Sequence, residues 1–495
     1  MEGSKAVLPV PTKQYGRLKN YINGEWVDSV SKQTRDVLNP ATNELIAQVP
    51  LSTPGEVDEA IRAAKEAFPA WRETPAVTRA RYFFTLKNLM EEHVEDLSRT
   101  LVQEMGKTIG EARGELRRAL EEIEVACGIP ALMHGYNAQD ITPGIELKAV
   151  LEPLGIFFMV PAFNFPAMVP LEYMPYAVAC GNTYIVKPCS DVPISQVRIF
   201  ELIDKAGFPP GVVNLVHGSR EVVDRLLESP DTRGLSFVGS SPVGKLLYQK
   251  AGEHGKRAQI AGGAKNFLVV MPDADVDRTV AAMLTSFFGC AGQRCLAGAV
   301  AVAVGDVYEE LRDKFVEAAS KLRVGYGLED GVQMGPLASR KHMENVLGYI
   351  EQGIKEGARL LLDGRNVKVE GYPHGAFVGP TIFDQVKPDM VIAKEEIFGP
   401  VACIMQVGAF DEAVELIEGS RFGHSGLIFT SSGKWAQEFQ YRVPCGNIGI
   451  NVGIAATMAF ATLGGLKDSF YGDLHGRRES IQFFTDRKIV ITRWF

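Results

Sequence analysis

Four short apolar runs between residues 156 and 238 constrain the fold more than any other feature of the chain. Each run is continuous rather than alternating, and each is followed by a segment with helical spacing. Strands that are buried on both faces have this pattern, so it predicts a parallel sheet with helices on both sides. The runs occupy residues 156–160, 183–187, 212–216 and 235–238.

A second α/β region follows from about residue 269 to residue 449, with apolar runs and helical segments of its own. The chain has 495 residues, which suits two or three domains rather than one. Towards the N-terminus, residues 18–50 predict antiparallel hairpins, and residues 78–127 have mostly helical spacing. The sequence therefore predicts an α/β protein with two separate sheets.

Residues 130–154 predict an exposed β-hairpin, because a Pro143-Gly144 turn joins two strand-like segments. Two interpretations of this hairpin stay open: an edge that another subunit covers, or a plain surface hairpin. The tail at residues 480–491 also has the pattern of a strand. We expect the tail to associate with the hairpin.

Composition excludes several classes of function. The formal net charge of −8 argues against a nucleic-acid partner, which calls for a basic surface. No apolar run is long enough for a membrane span, and residues 1–14 lack the pattern of a signal peptide. The seven cysteines form no disulfide framework or C-x-x-C pair, and the histidines form no metal-binding pair. We expect a cytoplasmic protein without a metal site.

The residues after the apolar runs are candidates for ligand binding, because ligands bind beyond the carboxyl ends of parallel strands. After the last run, Ser241 as N-cap and Pro242 at the first helical position predict a helix start. A helix N-terminus with free N–H groups is suited to a pyrophosphate. The G-x-G-x-x-G dinucleotide fingerprint is absent; the nearest sequence, Gly325-Tyr326-Gly327, has Asp330 where the third glycine belongs.

The most reactive candidate in the chain is Cys295, in a loop of small residues and glycines at 289–298. Glycines let backbone N–H groups approach a ligand closely, so the thiol and the backbone hydrogen-bond donors of this loop can contact the same part of a ligand. The alternative is a buried structural cysteine, since free cysteine is among the most buried residue types.

Five motifs in this order resemble the NAD(P)-dependent aldehyde dehydrogenase superfamily, and the resemblance covers essentially the whole chain. The closest similarity is to the methylmalonate-semialdehyde dehydrogenase branch, which makes acyl-CoA. Segments 164–170, 263–266, 469–473 and 481–483 support that branch. The five motifs are Phe163-Asn164-Phe165-Pro166, Lys187-Pro188, Gly239-Ser240, Gly292-Gln293-Arg294-Cys295 and Glu396-Ile397-Phe398-Gly399-Pro400.

The resemblance implies an aldehyde dehydrogenase-like α/β fold: a Rossmann-type cofactor domain, an α/β catalytic domain and a small β oligomerisation arm. It places the NAD(P)-binding domain at 1–129 and 155–268, the catalytic domain at 269–450, and the oligomerisation hairpin and tail at 130–154 and 478–495. A homo-oligomer, dimer or tetramer, is expected from this similarity.

The resemblance also implies the roles of individual residues. Cys295 as thiolate attacks the aldehyde carbon, which requires a lowered pKa, and hydride transfer to NAD or NADP leaves a thioester. The Asn164 amide and the Cys295 backbone N–H stabilise the oxyanion. Considered without the other motifs, Lys187 could be a solvated lysine and Glu396 could be a surface acid. The implied cofactor residues are Val160, Pro161, Phe163, Lys187, Ser190, Gly218, Phe237, Gly239, Ser240, Gly244, Gly262, Glu396 and Phe398.

Two positions depart from the common pattern of the superfamily. Hydrolytic members carry a glutamate where this chain has Ala261, and alanine cannot activate a water molecule. The CoA-dependent branch also lacks that glutamate, because a thiol can attack the thioester without it. NAD-preferring relatives often place a glutamate at the position of Ser190, where it repels a 2′-phosphate. We therefore expect NADP to be accepted as well as NAD, and a preference for NADP over NAD stays open.

Substrate binding is assigned by the same similarity to Arg118, Phe165 and Arg294, with the two guanidinium groups on the carboxylate of a semialdehyde. Arg118 could instead pair with Glu122 in the next turn of its helix. The alternative function is a non-acylating, NADP-dependent dehydrogenase of aliphatic aldehydes that releases the free acid. From another class, a cysteine hydrolase or a silent nucleotide-binding protein would need no hydride acceptor.

Overall fold

The computed structural model describes residues 13–456 and 459–495, so the expectation about a signal peptide at residues 1–14 falls almost entirely outside the described residues. The strands are β1 (Asn20–Ile22), β2 (Glu25–Val27), β3 (Thr34–Leu38), β4 (Leu45–Pro50), β5 (Tyr136–Thr142), β6 (Ile145–Pro153), β7 (Ile156–Val160), β8 (Thr183–Val186), β9 (Val213–Leu215), β10 (Thr232–Val238), β11 (Arg257–Ala261), β12 (Asn266–Val270), β13 (Gly298–Val304), β14 (Arg359–Leu362), β15 (Thr381–Asp384), β16 (Val401–Val407), β17 (Phe422–Gly423), β18 (Ser425–Phe429), β19 (Asn447–Ile450), β20 (Leu466–Lys467), β21 (Phe470–Gly472) and β22 (Thr485–Arg493).

The helices cover both large sheets and form the layer between β4 and β5. They are α1 (Pro54–Glu73), α2 (Ala76–Glu92), α3 (Val94–Met105), α4 (Ile109–Cys127), α5 (Ile129–Leu132), α6 (Met168–Leu171), α7 (Met174–Ala179), α8 (Ile194–Lys205), α9 (Arg220–Glu228), α10 (Ser241–Glu253), α11 (Val276–Phe288), α12 (Val307–Ser320), α13 (Arg340–Lys355), α14 (Val391–Lys394), α15 (Phe410–Gly419), α16 (Gly433–Arg442) and α17 (Arg477–Phe484), with a short 3₁₀ turn at Gly289–Gly292.

The first large sheet has eight strands in the order β2-β1-β9-β8-β7-β10-β11-β21. Its centre, from β9 to β11, is parallel, and antiparallel strands close both edges. The four apolar runs of the sequence are β7, β8, β9 and β10, so the predicted parallel sheet is confirmed. Phe157 and Phe158 on β7 are fully buried, one on each face, which is why these strands are continuously apolar.

The second large sheet has seven strands in the order β14-β15-β16-β13-β12-β18-β19. All its neighbours run parallel except the β14–β15 pair at one edge. This sheet confirms the second α/β region. The first sheet draws on residues 20–27, 156–261 and 470–472, and the second on residues 266–450.

A small third sheet has the order β22-β6-β5, and β22 pairs with β6 from Thr485–Pro153 to Arg493–Ile145. The predicted association of tail and hairpin is confirmed. The prediction of one strand over 480–491 is wrong in its first half, because α17 occupies Arg477–Phe484. Ile481 and Phe484 lie one helical turn apart, and both are buried, Phe484 against Phe157.

The helix start after β10 is shifted by one residue from the prediction. Ser240 is the N-cap of α10, and Ser241 is its first residue. The Ser241 hydroxyl donates instead to the Asp468 carbonyl at 2.5 Å and accepts the Gly263 N–H at 2.9 Å. A long-range contact, invisible in the local sequence, therefore moves the cap. Within the described residues, no helix is both long and apolar enough to span a membrane.

Candidate active site

The carboxyl ends of strands in the first sheet and the amino ends of strands in the second face two neighbouring cavities, and Cys295 and Asn164 line both of them. The larger cavity has a volume of about 970 Å³, and the smaller one about 460 Å³. Cys295 lies in the loop between the 3₁₀ turn and β13, whereas Asn164 follows β7. The predicted nucleophile and the predicted oxyanion donor are thus brought together from different sheets.

The backbone of the cysteine loop has an uncommon conformation. Cys290, Ala291 and Gly292 have φ values of 51°, 52° and 72°, so two non-glycine residues lie in the left-handed region. The left-handed conformation of a non-glycine residue costs about 1–3 kcal/mol in folding free energy, and it persists only where surrounding contacts hold the backbone in place. A Cβ atom on Gly292 would lie 2.1 Å from the Gly399 carbonyl oxygen, so this position requires glycine.

Hydrogen bonds from distant segments fix this loop. The Cys290 N–H donates to Glu111 at 2.6 Å, and the Gln293 side chain donates to the Cys290 carbonyl at 2.9 Å. Beyond the nucleophile, the Asn266 amide donates to the carbonyls of Cys295 and Ala297, both at 2.7 Å. Because Glu111, Asn266 and Gln293 are bonded in this way, the Cys295 backbone is held on both sides.

The side chain of Asn164 points towards the cysteine loop. Its Nδ2 donates to the Gln293 carbonyl at 2.9 Å, and the residue is buried. An amide nitrogen carries two N–H groups, so one donor is used here and the second is left for a ligand. This geometry supports the predicted role of Asn164 as an oxyanion donor, which stays a prediction.

A fully buried ion pair holds the segment that carries Asn164. Lys107 forms a salt bridge with Glu115 at the start of α4, and its Nζ donates to the Asn164 carbonyl at 2.7 Å. Glu115 Oε1 accepts the N–H groups of Ala167 and Met168 at 2.8 and 3.1 Å. One ion pair therefore binds both ends of the turn from 164 to 168.

The environment of Cys295 raises the pKa of its thiol to about 12. Burial is the main cause, and the carboxyl groups of Glu396 and Glu172 act in the same direction. The backbone N–H groups of Cys295 and Leu296 oppose the shift. The lowered pKa that the resemblance led us to expect is thus absent from the protein alone, because burial and the two carboxyl groups outweigh the backbone N–H groups.

Glu396 is half-buried and lines the larger cavity beside Cys295, so it is not an exposed surface acid. Its Oε1 accepts the Ala264 N–H at 2.9 Å, and burial raises the pKa of its carboxyl group to about 7. Gly263 packs directly against this carboxylate, since a Cβ atom there would lie 2.6 Å from Glu396 Oε2.

Most of the predicted cofactor residues line the larger cavity. The ones that do not line it lie at the ends of the adjoining strands: Val160 ends β7, Lys187 follows β8, and the Ser190 hydroxyl donates to the Gly218 carbonyl at 3.0 Å. Gly244 lies in α10, where a Cβ atom would be 2.7 Å from Ile260. The cavity-lining members are Pro161, Phe163, Phe237, Gly239, Ser240, Gly262, Glu396 and Phe398.

Lys187 tests whether these residues fit a nucleotide. Its side chain is only 8% exposed, so the alternative of a solvated lysine is wrong, and burial lowers the pKa of its ammonium group. Its Nζ forms no hydrogen bond within residues 13–456 and 459–495. A buried ammonium without a partner favours ligand oxygens, such as the hydroxyls of a ribose. The larger cavity therefore fits the predicted dinucleotide.

The smaller cavity contains the three predicted substrate residues, Arg118, Phe165 and Arg294. Both arginines already have partners: Arg118 donates to Glu121 at 2.9 Å, and Arg294 lies 3.4 Å from Glu111. The alternative partner of Arg118, Glu122, accepts no hydrogen bond from it and instead accepts one from the Tyr176 hydroxyl at 2.8 Å, so that pairing is wrong. The role of the arginines in binding a carboxylate stays a prediction.

Several residues of the site were missed at the sequence level, namely Lys107, Glu111, Glu115, Glu172, Gln293, His424 and His475. A signal was present for one of them. Glu115 lies on the same stripe of α4 as the buried Ala112, Leu116 and Ala119. Acids on the apolar stripe of an amphipathic helix point into the protein, where they need partners.

Comparison with known proteins agrees with this geometry. The profile of the aldehyde dehydrogenase family matches residues 26–490. The chain belongs to the aldehyde dehydrogenase family. This confirms the resemblance drawn from the five motifs, and with it the aldehyde dehydrogenase fold.

Individual relatives of this aldehyde dehydrogenase are similar over their whole length. Malonate-semialdehyde dehydrogenase 2 of Geobacillus kaustophilus is 47% identical over 96% of this chain and 99% of that protein. The crystal structure of a methylmalonate-semialdehyde dehydrogenase from Oceanimonas doudoroffii is 41% identical, with a TM-score of 0.95 over 97% of this chain and 99% of that one. A proposed methylmalonate-semialdehyde dehydrogenase from Sinorhizobium meliloti, solved with NAD, is 37% identical with a TM-score of 0.96, covering 98% and 99% of the two chains.

The buried ion pair gives a prediction for this aldehyde dehydrogenase. Lys107→Met leaves Glu115 charged and buried without a partner, so we expect a loss of about 3–5 kcal/mol in the free energy of unfolding. The double variant Lys107→Met/Glu115→Gln removes the uncompensated charge and recovers most of that loss. We expect kcat to stay at least tenfold below wild type in the double variant, because the Asn164 carbonyl still lacks its donor.

Urea denaturation and steady-state kinetics measure the two quantities separately. Glu95→Gln, which removes an exposed ion pair with Arg113, is the control and leaves both unchanged. A double variant with wild-type kcat would show that the ion pair supports only the fold and does not position Asn164.

Proposed function

We propose that this enzyme oxidises a short semialdehyde with NAD or NADP and transfers the acyl group to CoA. The observation that carries the proposal is Ala261 at the end of β11, which lines the smaller cavity beside Cys295. The position where hydrolytic members of the family carry a glutamate has no group that accepts a proton. The semialdehydes named for the relatives at 43–47% identity support the substrate class.

The chain's own residues account for the steps up to the thioester. The Cys295 thiol loses its proton to solvent, and the thiolate Sγ forms a bond to the aldehyde carbon. The carbonyl oxygen becomes an oxyanion that the free Asn164 N–H and the Cys295 backbone N–H stabilise. A nicotinamide bound in the larger cavity supplies the hydride acceptor and a positive charge that lowers the pKa of the thiol. Loss of hydride from the carbon restores the carbonyl group and leaves a thioester on Cys295.

The second half of the reaction needs an external thiol. The CoA thiolate attacks the thioester carbon, and the bond to Cys295 Sγ breaks, so that acyl-CoA leaves and the cysteine is regenerated as thiolate. The thiol proton of CoA passes to solvent. A thiolate is a much stronger nucleophile than neutral water, so this exchange needs no general base at position 261.

The substrate-binding proposal rests on the smaller cavity. Its volume of about 460 Å³ and its lining by Arg118 and Arg294 suit a short aldehyde with a carboxylate at the other end. Each arginine would exchange its present carboxylate partner for that of the substrate, or share it. Phe165, whose ring lies 4.2 Å from Lys107 Nζ, forms the apolar side of the cavity.

Assembly and location complete the proposal. β5 and β22 are the two edge strands of the small sheet, and the tail that contains β22 exposes Ile491, Trp494 and Phe495. An exposed edge with apolar side chains is a typical subunit contact, so we propose a homo-oligomer built through this arm. All seven cysteines are free, which is in keeping with a reducing cytoplasm.

Replacing Ala261 tests the acylating function. With malonate semialdehyde and NAD, wild-type enzyme should release acyl-CoA when CoA is present and very little free acid when it is not. Ala261→Glu restores a general base, so we expect free acid to form without CoA at least tenfold faster than in wild type. Products are identified by liquid chromatography and mass spectrometry.

Ala261→Gln is the matched control, because glutamine has nearly the same size as glutamate but cannot accept a proton. The proposal fails if wild-type enzyme turns over at full rate without CoA and releases only the free acid.

Cofactor choice gives a separate prediction at Ser190. The described side chains place no unpaired acid beside it, since Asp191 pairs with Arg35. We therefore propose that NADP is accepted. Ser190→Glu should lower kcat/KM for NADP at least tenfold and leave kcat/KM for NAD within threefold, because a carboxylate repels the 2′-phosphate. Wild-type enzyme that already rejects NADP, with no further loss in Ser190→Glu, contradicts this account.

A further inference from the structure

One carboxyl group in the smaller cavity has no role in the chemistry described above. Glu172 follows α6 and lines the cavity together with Cys295, and its side chain is 14% exposed. Its only ionisable contact is His475 Nε2 at 3.9 Å, which is too long for a hydrogen bond. Among the residues that the structure describes, none donates a hydrogen bond to Glu172.

The other charged groups of this cavity are already paired. Arg118 is bonded to Glu121 and Arg294 to Glu111, while Glu115 is saturated by Lys107 and by two backbone N–H groups. Among the described residues that line this cavity, Glu172 is therefore the carboxyl group that is open to a ligand. A buried polar group without a partner costs free energy, and a bound ligand that satisfies it recovers that cost.

The surroundings of Glu172 favour its neutral form. Burial raises the pKa of this carboxyl group well above its ordinary value, and the neighbouring carboxyl groups of Glu122 and Glu115 raise it further. His475 supplies no positive charge, because burial lowers its pKa to about 3. The titratable and charged groups that surround the cavity at Glu172 are Glu111, Glu115, Arg118 and Glu122 on α4, together with Tyr173, Arg294, Cys295, His424 and His475.

The wall around Glu172 is otherwise fixed. The Tyr173 hydroxyl lies 3.1 Å from His475 Nδ1, and the two rings are 4.5 Å apart. His424 is buried, its pKa is lowered to about 4, and its Nδ1 has no partner within residues 13–456 and 459–495. Two neutral imidazoles and a tyrosine therefore surround the carboxyl group. Because these side chains provide no positive charge, burial favours the neutral form of Glu172.

We propose that Glu172, as a neutral carboxylic acid, donates a hydrogen bond to the carboxylate of the semialdehyde and so selects it over uncharged aldehydes. The identity of that ligand rests on the proposed function. A protonated carboxyl group is a strong donor to a carboxylate, and this charge-assisted bond is stronger than one between neutral groups. Glu172 is thus a specificity-determining residue that acts beside the two arginines rather than instead of them.

The proposal predicts the sign of a pH effect. Below its raised pKa Glu172 is neutral and donates; above it the ionised group has no proton to donate and repels the substrate carboxylate. The preference for a carboxylate substrate should therefore fall as pH rises through that pKa. The ratio of kcat/KM values for two aldehydes isolates this effect, because the titrations of Cys295 and of the CoA thiol are common to both substrates and cancel.

The test compares malonate semialdehyde with propanal, which has three carbons as well but no carboxylate, at a series of pH values from 6 to 9. Glu172→Leu keeps an apolar bulk but has no donor, so it should raise KM for malonate semialdehyde at least tenfold and leave KM for propanal within twofold. Glu172→Gln keeps a donor that does not ionise, so it should preserve the preference and abolish its pH dependence. Glu124 is an exposed acid on the other side of α4, and Glu124→Gln is the control. It should change neither the ratio of the kcat/KM values for the two aldehydes nor the pH dependence of that ratio.

Three results would overturn the proposal: equal loss for both aldehydes in Glu172→Leu, a preference in wild type that does not vary with pH, or a gain in malonate semialdehyde binding when the carboxyl group is removed. If Glu172→Leu does not fold, the pH series with wild type and Glu172→Gln decides alone. Failure of the proposed function has a different signature, because wild-type enzyme would then make no acyl-CoA from either aldehyde.

Discussion

The buried ion pair between Lys107 and Glu115 connects the helical layer to the catalytic groups, and the arrangement of the site depends on it. Lys107 binds the Asn164 carbonyl, and Glu115 binds the backbone N–H groups one and two residues beyond Pro166. Asn164 in turn donates to the Gln293 carbonyl in the cysteine loop. Three segments that are distant in the sequence are thereby fixed relative to one another through a few short bonds.

The same arrangement places Cys295 between two cavities with different chemistry. The larger cavity is lined by the ends of the first sheet and by Glu396, and it fits a dinucleotide. The smaller cavity holds the arginines and Glu172, and it fits a short polar aldehyde. Burial, together with the carboxyl groups of Glu396 and Glu172 on either side, raises the pKa of the thiol in the protein alone. In the proposed mechanism, the positive charge of the nicotinamide would lower it again.

Local sequence patterns were sufficient for the parallel sheet, the second α/β region and the cysteine loop. The apolar runs are local signals, and each became a strand. The tail was only half predicted, since its first turn folds as a helix whose buried face is set by Phe157, far away in the sequence. Ser241 likewise serves a distant carbonyl instead of capping its own helix.

The electrostatic part of the site could be predicted least. Motifs identified Cys295, Asn164 and Glu396, but not that their surroundings are dominated by buried carboxyl groups. Lys107 and Glu115 are eight residues apart and pair only because a helix starts between them. Glu172 stands out only when the partners of every neighbouring charge are known. These contacts between charged side chains arise from packing between distant segments, so no periodic pattern in the sequence predicts them.

The central claim is that this chain builds a thioester on Cys295 and relies on an external thiol to remove it. Rapid-mixing kinetics with malonate semialdehyde and NAD, without CoA, test this most directly. The account predicts a burst of about one NADH per active site, an acyl group on Cys295 in the mass spectrum of the quenched enzyme, and fast turnover once CoA is added. Continuous NADH formation without CoA at the rate seen with it, and no acyl group on Cys295, would contradict the account.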